Sequence, residues 1–327
     1  MPKVSVVMPT YNQAHFIAEA IQSALDQTFQ DFEIVVVDDG STDNTKEVVA
    51  GFQDPRIKYI YQENRGVAAA SNTGILASTG EYIAGLSSDD MWLPQNLEFK
   101  VKLLDSRPDM SIVCSDLYEF DSDNGATLCR LWRNKSGRYL RELQDGARQP
   151  LTEYLSKGSL FRIVTMIVRR QVFDEVGYYD ESLRVEDYEM FVRILQHLSS
   201  IGIINSPLVK YRRHRGSMSR NYEYIYTGML TAINKIINNY SLSKKNCKFV
   251  RRRLARIHCE YGWANIVARD EIALGRKKLI ASIRVNPWWV RPYLYLAFSF
   301  LGNRLIQTLK SWKKQLERYF KTEVIEY

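Results

Sequence analysis

The sequence predicts an α/β protein: a mostly parallel sheet flanked by helices, followed by a basic helical C-terminal region. Three observations carry this. Short apolar runs alternate with segments of helical periodicity through about residue 110. Those runs end directly in polar, turn-forming clusters, as buried parallel strands do. Beyond Arg220 the strand pattern stops, and the chain becomes rich in Arg, Lys, Tyr and Trp at helical spacing.

Taken in order, Val4 to Met8 is a buried strand stopped at Pro9. Phe16, Ile17, Ala20, Ile21, Ala24 and Leu25 recur at helical spacing. Phe32 to Val37 is a second strand, ended by Asp38-Asp39-Gly40, and a helix follows from Asn44 to Phe52. Ile57 to Tyr61 is a third strand, Val67 to Ala77 a helix, and Glu81 to Leu86 a fourth strand that runs into Ser87-Ser88-Asp89-Asp90. Later strands are expected at Ser111–Tyr118 and Ile163–Val168, with residues 121–160 giving no readable pattern. Tyr188, Phe191, Val192, Leu195 and Leu198 define a further amphipathic helix. Two domains are expected. Residues 1–220 form the first, with a part to about 110 and a part from about 111, and residues 221–327 the second.

Apolar residues make up 45% of the chain and charged residues 25%, enough apolar content to bury a sizeable core and to exclude extended disorder. Charge is unevenly placed. Residues 1–210 hold 21 Lys and Arg against 30 Asp and Glu, whereas residues 211–327 hold 24 against 7. The basic part suits something anionic, such as a membrane surface, a lipid-linked phosphate or a nucleic acid, and of these no nucleic acid is expected as a partner. A solvated basic helical face explains the same excess. Cys114, Cys129, Cys247 and Cys259 form no C-x-x-C pair and have no histidine at metal-ligand spacing, which fits idle thiols in a reducing compartment. No basic-then-apolar leader precedes the first strand, so a cytoplasmic location is expected.

In a parallel sheet, ligands sit at the carboxyl ends of the strands, so three polar clusters should converge on one edge. In the first, Thr10-Tyr11-Asn12 with Asp38-Asp39, Tyr11 offers a flat face to a base and Asp39 can accept a ring N–H. Packing and turn capping are the ordinary alternatives. In the second, the adjacent carboxylates of Asp89 and Asp90 repel unless a cation or a cap relieves them. A hard divalent ion, Mg2+ or Mn2+, is held by one or two carboxylates plus substrate phosphates, and Asp90 can serve as the structural member. In the third, Glu186-Asp187 opens a helix, where a carboxylate can act as a general base or simply favour the helix dipole.

Together these residues resemble the GT-A glycosyltransferases of the large inverting family 2. The resemblance runs from Val4 to about Ser219. It includes Val4–Asn12, Val36–Ser41, Asn64–Gly74, Gly80–Ile83, Gly177–Glu181 before Glu186-Asp187, and Tyr211–Ser219. It implies a GT-A-like fold and transfer of a sugar from a nucleotide diphosphate, with UDP the default nucleotide, to a hydroxyl acceptor that is a saccharide or lipid-linked. It further implies that Thr10, Tyr11 and Asp39 hold the nucleotide, that Asp89 is the metal aspartate of a D-x-D motif, that Asp187 is the catalytic base, and that His214 lies near the metal or diphosphate. Two positions depart from the family. Ser87 stands where the first acid of D-x-D belongs, and Ser71 where an arginine often follows Ala70. Arg65 is the expected substitute cation in the nucleotide pocket, with Asp90 beside it.

Two rivals follow from the same residues. The departures at Ser87 and Ser71 admit a catalytically weak nucleotide-sugar-binding protein on the same fold. The alternation of strands and helices also suits a dinucleotide-dependent oxidoreductase, but Pro9-Thr10-Tyr11-Asn12 stands where a G-x-G-x-x-G turn is needed. The stretch Pro287–Leu301 is apolar and aromatic, but prolines and Arg291 break it below the length of a spanning helix. It suits a helix lying at an anionic membrane surface, or one packed on the catalytic domain.

Overall fold

The computed structural model describes residues 1–122, 125–130, 150–157, 162–198 and 201–300. The chain divides into two compact units, Met1–Glu153 with Leu160–Ser217, and Tyr154–Ser159 with Met218–Tyr327. The sequence had placed this division after residue 220.

The first unit is built on one sheet. Strands β1 (Val4–Thr10), β2 (Phe32–Asp39), β3 (Ile57–Gln62) and β4 (Tyr82–Gly85) alternate with helices α1 (Ile17–Leu25), α2 (Thr45–Ala50) and α3 (Val67–Ala77). β5 (Met91–Trp92), α4 (Asn96–Ser106), β6 (Ile112–Asp121) and β7 (Thr127–Arg130) follow. Then come α5 (Pro150–Lys157), whose residues from Tyr154 on belong to the second unit, β8 (Met166–Arg169), α6 (Arg170–Val176), α7 (Glu186–His197) and β9 (Gly202–Arg213). The strands order as β3-β2-β1-β4-β8-β6-β9-β5, with β7 pairing β6. β1 to β4 run parallel, while β8 runs antiparallel to both its neighbours. β8 therefore begins at the edge where β1, β2 and β4 end.

The buried strands explain themselves. Val4, Val6 and Met8 on β1 and Ile34 and Val36 on β2 are wholly buried, as are the alternate residues Val35 and Val37, which pack against Ala70 of α3. Both faces are covered, so β1 and β2 are apolar along most of their length, with Ser5 and Glu33 bonded to each other. α1 turns Ile17, Ala20, Ile21 and Ala24 inward at the predicted spacing.

The expected strand Ile163–Val168 is a 3-10 turn over Ile163–Thr165 and a strand only from Met166. β9 had no predicted counterpart. Its run Gly-Ile-Ile-Asn-Ser-Pro-Leu-Val-Lys-Tyr-Arg-Arg is interrupted by Pro207, and its register with β6 shifts on either side of Asp116. Those irregularities break the alternation that would have marked a strand. Much of the unreadable span 121–160 lies outside the described residues.

The second unit is helical: α8 (Tyr222–Asn239), α9 (Lys244–Ala268), α10 (Ile272–Val285) and α11 (Val290–Phe298). Asn221 and Ser243 cap α8 and α9 by accepting the N–H groups of Tyr224 and Asn246. α9 and α10 touch backbone to backbone. A Cβ on Gly262 would lie 2.8 Å from the Gly275 carbonyl, and one on Gly275 2.6 Å from the Gly262 carbonyl. Only glycine fits at either place. Among the described residues no helix is long and apolar enough to cross a membrane. Cys114, Cys247 and Cys259 are free thiols; the side chain of Cys129 and the residue Leu301 lie outside the described residues.

Candidate active site

The carboxyl ends of β1, β2 and β4 bring the first two polar clusters to one edge. Thr10 pairs in register with Asp38, and β4 lies on the other side of β1. Thr10 is 4% exposed, and its hydroxyl has no hydrogen-bond partner among the described residues. A buried orphan hydroxyl costs about 1–3 kcal/mol unless something else bonds it. Tyr11, one residue on, is 48% exposed, an open aromatic face beside that hydroxyl. Asn12 holds the loop. With φ at 53° it accepts the N–H groups of Thr42 and Asp43, while its own N–H goes to Ser41. Gly40 makes the turn into that loop with φ at 82°, and a Cβ there would meet the Asn64 nitrogen at 2.8 Å.

The two aspartates of β2 work differently. Asp38 is buried and accepts from Ser41 N and from the Tyr59 hydroxyl. Burial and this bond both keep the Tyr59 phenol above its ordinary pKa. Asp39 accepts from Gln62 Nε2 at 2.7 Å, Arg65 N at 2.9 Å and Gly66 N at 2.8 Å, and so receives the start of α3. A carboxylate has about four acceptor positions, so three are taken and one remains. Arg65 enters this site through its backbone. Its guanidinium, expected in the nucleotide pocket, pairs instead with Glu181 at 2.7 Å, both side chains largely exposed.

Asp89 and Asp90 separate into two roles. Asp90 is 1% exposed and accepts the Arg212 N–H at 2.8 Å. Burial and then the neighbouring Asp89 charge push its carboxyl well above the ordinary range. The bond to Arg212 anchors β9. Asp89 stays partly open, and its Oδ2 lies 3.1 Å from His214 Nε2. The register explains the meeting: Met91 opposes Lys210 and Trp92 opposes Val209, so the Asp89-Asp90 turn faces the end of β9. Arg212 locks the arrangement. Its Nε donates to the Asp89 carbonyl and its NH2 pairs with Glu19, each at 2.7 Å, over the rings of Phe16 and Phe120.

Arg162, just before β8, ties in the third cluster. It pairs with Glu119 at 3.0 Å and lies 4.1 Å over the ring of Tyr211. Burial opposes its charge, but Tyr211, Glu119, Asp90 and Asp187 together hold its pKa above the ordinary value. The same cation thus feels Asp90, below the β4 turn, and Asp187, in the first turn of α7. Next to Asp187, burial and then the Asp187 charge push Glu186 up to about 8.

The loop leading into α7 is fixed by Asn72 of α3. Its side chain donates to the Tyr179 carbonyl and accepts the Tyr179 N–H, both at 2.9 Å, and also reaches Glu181. Neither Arg162 nor Asn72 was marked by the sequence as a site residue. A buried asparagine between the alanines of α3 was the available signal for one; Arg162 carried none.

Asp89 and His214 offer a carboxylate and an imidazole at the strand edge, and among the described residues no three His, Cys, Asp or Glu side chains gather as a closed metal site. A hard divalent ion that shares its remaining positions with phosphate and water fits such a pair. His15 and Phe16 pack by the His214 ring, which restricts its rotation.

Comparison with known proteins shows the family and the fold. The model for Glycosyl transferase family 2 matches residues 5–177. An uncharacterized glycosyltransferase of Rickettsia typhi is 32% identical over 72% of this chain and 73% of its own. The Escherichia coli UDP-Glc:alpha-D-GlcNAc-diphosphoundecaprenol beta-1,3-glucosyltransferase WfgD is 31% identical over 67% of this chain and 80% of its own. Among solved structures, Staphylococcus aureus TarS 1-349 in complex with UDP-GlcNAc superposes with a TM-score of 0.65 at 20% identity, covering 96% of this chain and 92% of that one. The mannosyltransferase PcManGT of Pyrobaculum calidifontis, in complex with GDP-Man and Mn2+, gives 0.61 at 17% identity, covering 98% and 88%. These likenesses establish a GT-A-like fold. With a family model matched over more than half of the chain and a relative 32% identical over 72% of it, the chain belongs to glycosyl transferase family 2 and is a glycosyltransferase.

Proposed function

We propose that this glycosyltransferase moves a sugar from a UDP-sugar to a hydroxyl of a saccharide or lipid-linked acceptor, with inversion at the anomeric carbon. The observation that carries the reading is the 3.1 Å approach of His214 to Asp89 at the end of β4. It supports a divalent ion, Mn2+ or Mg2+, held by those two side chains, which when bound would neutralise charge on the departing diphosphate. Tyr11 stacks on the base, Asp39 offers its remaining acceptor position to a ring N–H, and Thr10 gives its unpartnered hydroxyl to the nucleotide. Asp187 takes the proton of the attacking hydroxyl from the side opposite the nucleotide. Arg162 lies within electrostatic reach of Asp187. The uridine nucleotide is supported by TarS, seen with UDP-GlcNAc, and the lipid-linked acceptor by WfgD.

The test is Asp187→Asn with a panel of nucleotide sugars, each screened first by thermal shift, because a bound donor raises the unfolding midpoint. Turnover is expected to fall about 10²- to 10⁴-fold while UDP binding is unchanged. Transfer at the unaltered rate would remove Asp187 as the base. UDP-sugar binding without nucleotide release in the unmutated protein would favour the silent binder.

A further inference from the structure

Helix α11 is apolar on two faces. One carries Trp289, Tyr295 and Leu296, packed on Cys259, Ile266 and Leu279, with the Trp263 and Tyr295 rings stacked at 4.2 Å. The other carries Val290, Tyr293, Leu294 and Ala297 at the i, i+3, i+4, i+7 spacing of a single stripe, and all four are exposed. Val290 is 63% and Leu294 50% exposed, and Trp288, directly before the helix, is 93% exposed. A surface helix ordinarily places charge on that side. Scattered exposed apolar residues need no explanation, but a contiguous stripe marks an interaction surface.

Charge decides what it meets. Residues 211–327 carry 24 Lys and Arg against 7 Asp and Glu. Exposed Lys277 and Arg284 flank exposed Ile280 on one face of α10, and Lys244, Lys245, Lys248, Arg251 and Arg252 are exposed on α9. A second copy would set like charge against like charge. An anionic leaflet attracts exposed cations of this kind. Aromatic and aliphatic residues bordered by Lys and Arg are the composition of a helix lying at the headgroup level. The nine residues of α11 span about 13 Å, against the roughly 30 Å of a hydrocarbon core, so it lies in the plane.

We propose that Trp288, Val290, Tyr293 and Leu294 form a docking surface that seats the helical unit in the headgroup region of an anionic lipid leaflet. Docking needs neither the donor nor Asp187. The test is co-sedimentation of the full chain with vesicles of phosphatidylglycerol and phosphatidylcholine, and with phosphatidylcholine alone. The protein is expected to sediment with the anionic vesicles only, and less so at high salt. W288S/L294S is expected to lower partitioning at least tenfold, with the unfolding midpoint and UDP binding unchanged. K277E/R284E leaves the stripe intact and is expected to lower partitioning as well. Absence of sedimentation overturns the proposal, as does equal partitioning by all three proteins. A self-associated wild type that W288S/L294S turns into monomer, without vesicle binding, would assign the surface to a second copy instead. UDP binding in vesicle-free buffer reports on the transfer site alone, so either reading can fail without the other.

Discussion

The α/β unit and the helical unit treat charge in opposite ways. The first buries it: Asp38, Asp39, Asp90, Glu119 and Arg212 are each under 6% exposed and each bonded to a named backbone or side-chain group. In the second, the buried polar side chains among the described residues are Asn246, Asn265, Ser282 and Ser299, none of them charged, while lysines, arginines and apolar side chains share the surface. Buried, bonded charges are fixed in place before a ligand arrives, which is what a transfer site needs. Surface cations on long side chains are adjustable, and suit attraction to a broad anionic surface.

If fixed polar contacts build the site, removing one should damage chemistry as well as fold. Asn72→Ala leaves the Tyr179 N–H and carbonyl without their buried partner and loosens the loop that leads to Asp187. Turnover is expected to fall about a hundredfold, since a misplacement near 1 Å costs that much. Unfolding free energy should drop by about 2–4 kcal/mol. Steady-state kinetics beside denaturant unfolding measures both, and an undiminished turnover would break the contrast between the units.

Lys100 is the exception that sharpens the comparison. It is 1% exposed, its Nζ has no hydrogen-bond partner, and burial lowers its pKa to about 7. The folded state therefore holds fewer protons than the unfolded chain between pH 7 and 10.5, and stability should rise with pH across that window. Lys100→Met should remove that slope. It should stabilise the protein by on the order of 4 kcal/mol near pH 7 and by under about 1 kcal/mol at pH 10. Denaturant titrations at both pH values test it; an unchanged slope would mean the amine finds a partner in solution.

How far the residues announced this arrangement follows from their chemistry. The parallel half was readable because β1, β2 and β4 are apolar runs stopped by turn residues, and parallel pairing puts their ends together whatever else the chain does. α4 was harder, because Leu97, Lys100, Val101 and Leu104 form its inward face and the lysine disguises it. β9 was not readable, since Pro207 and the shifts about Asp116 erase its alternation. The placing of Arg212 was lost with it, and His214 was expected beside the metal aspartate only through the family resemblance. Arg65 could be foreseen at the pocket but not by which group: Glu181, 116 positions away, takes the guanidinium and leaves only the backbone N–H for Asp39. Contacts between residues so distant depend on the assembled sheet and leave no local trace.

The pairing of Asp89 with His214 is tested most directly by calorimetric titration of UDP with and without Mn2+ in the wild type, Asp89→Asn, His214→Gln and the double variant. Shared ligation predicts that Mn2+ tightens UDP binding in the wild type, that each single variant loses most of that gain, and that the double variant loses little more. Equal UDP affinity with and without Mn2+ in all four proteins would contradict it.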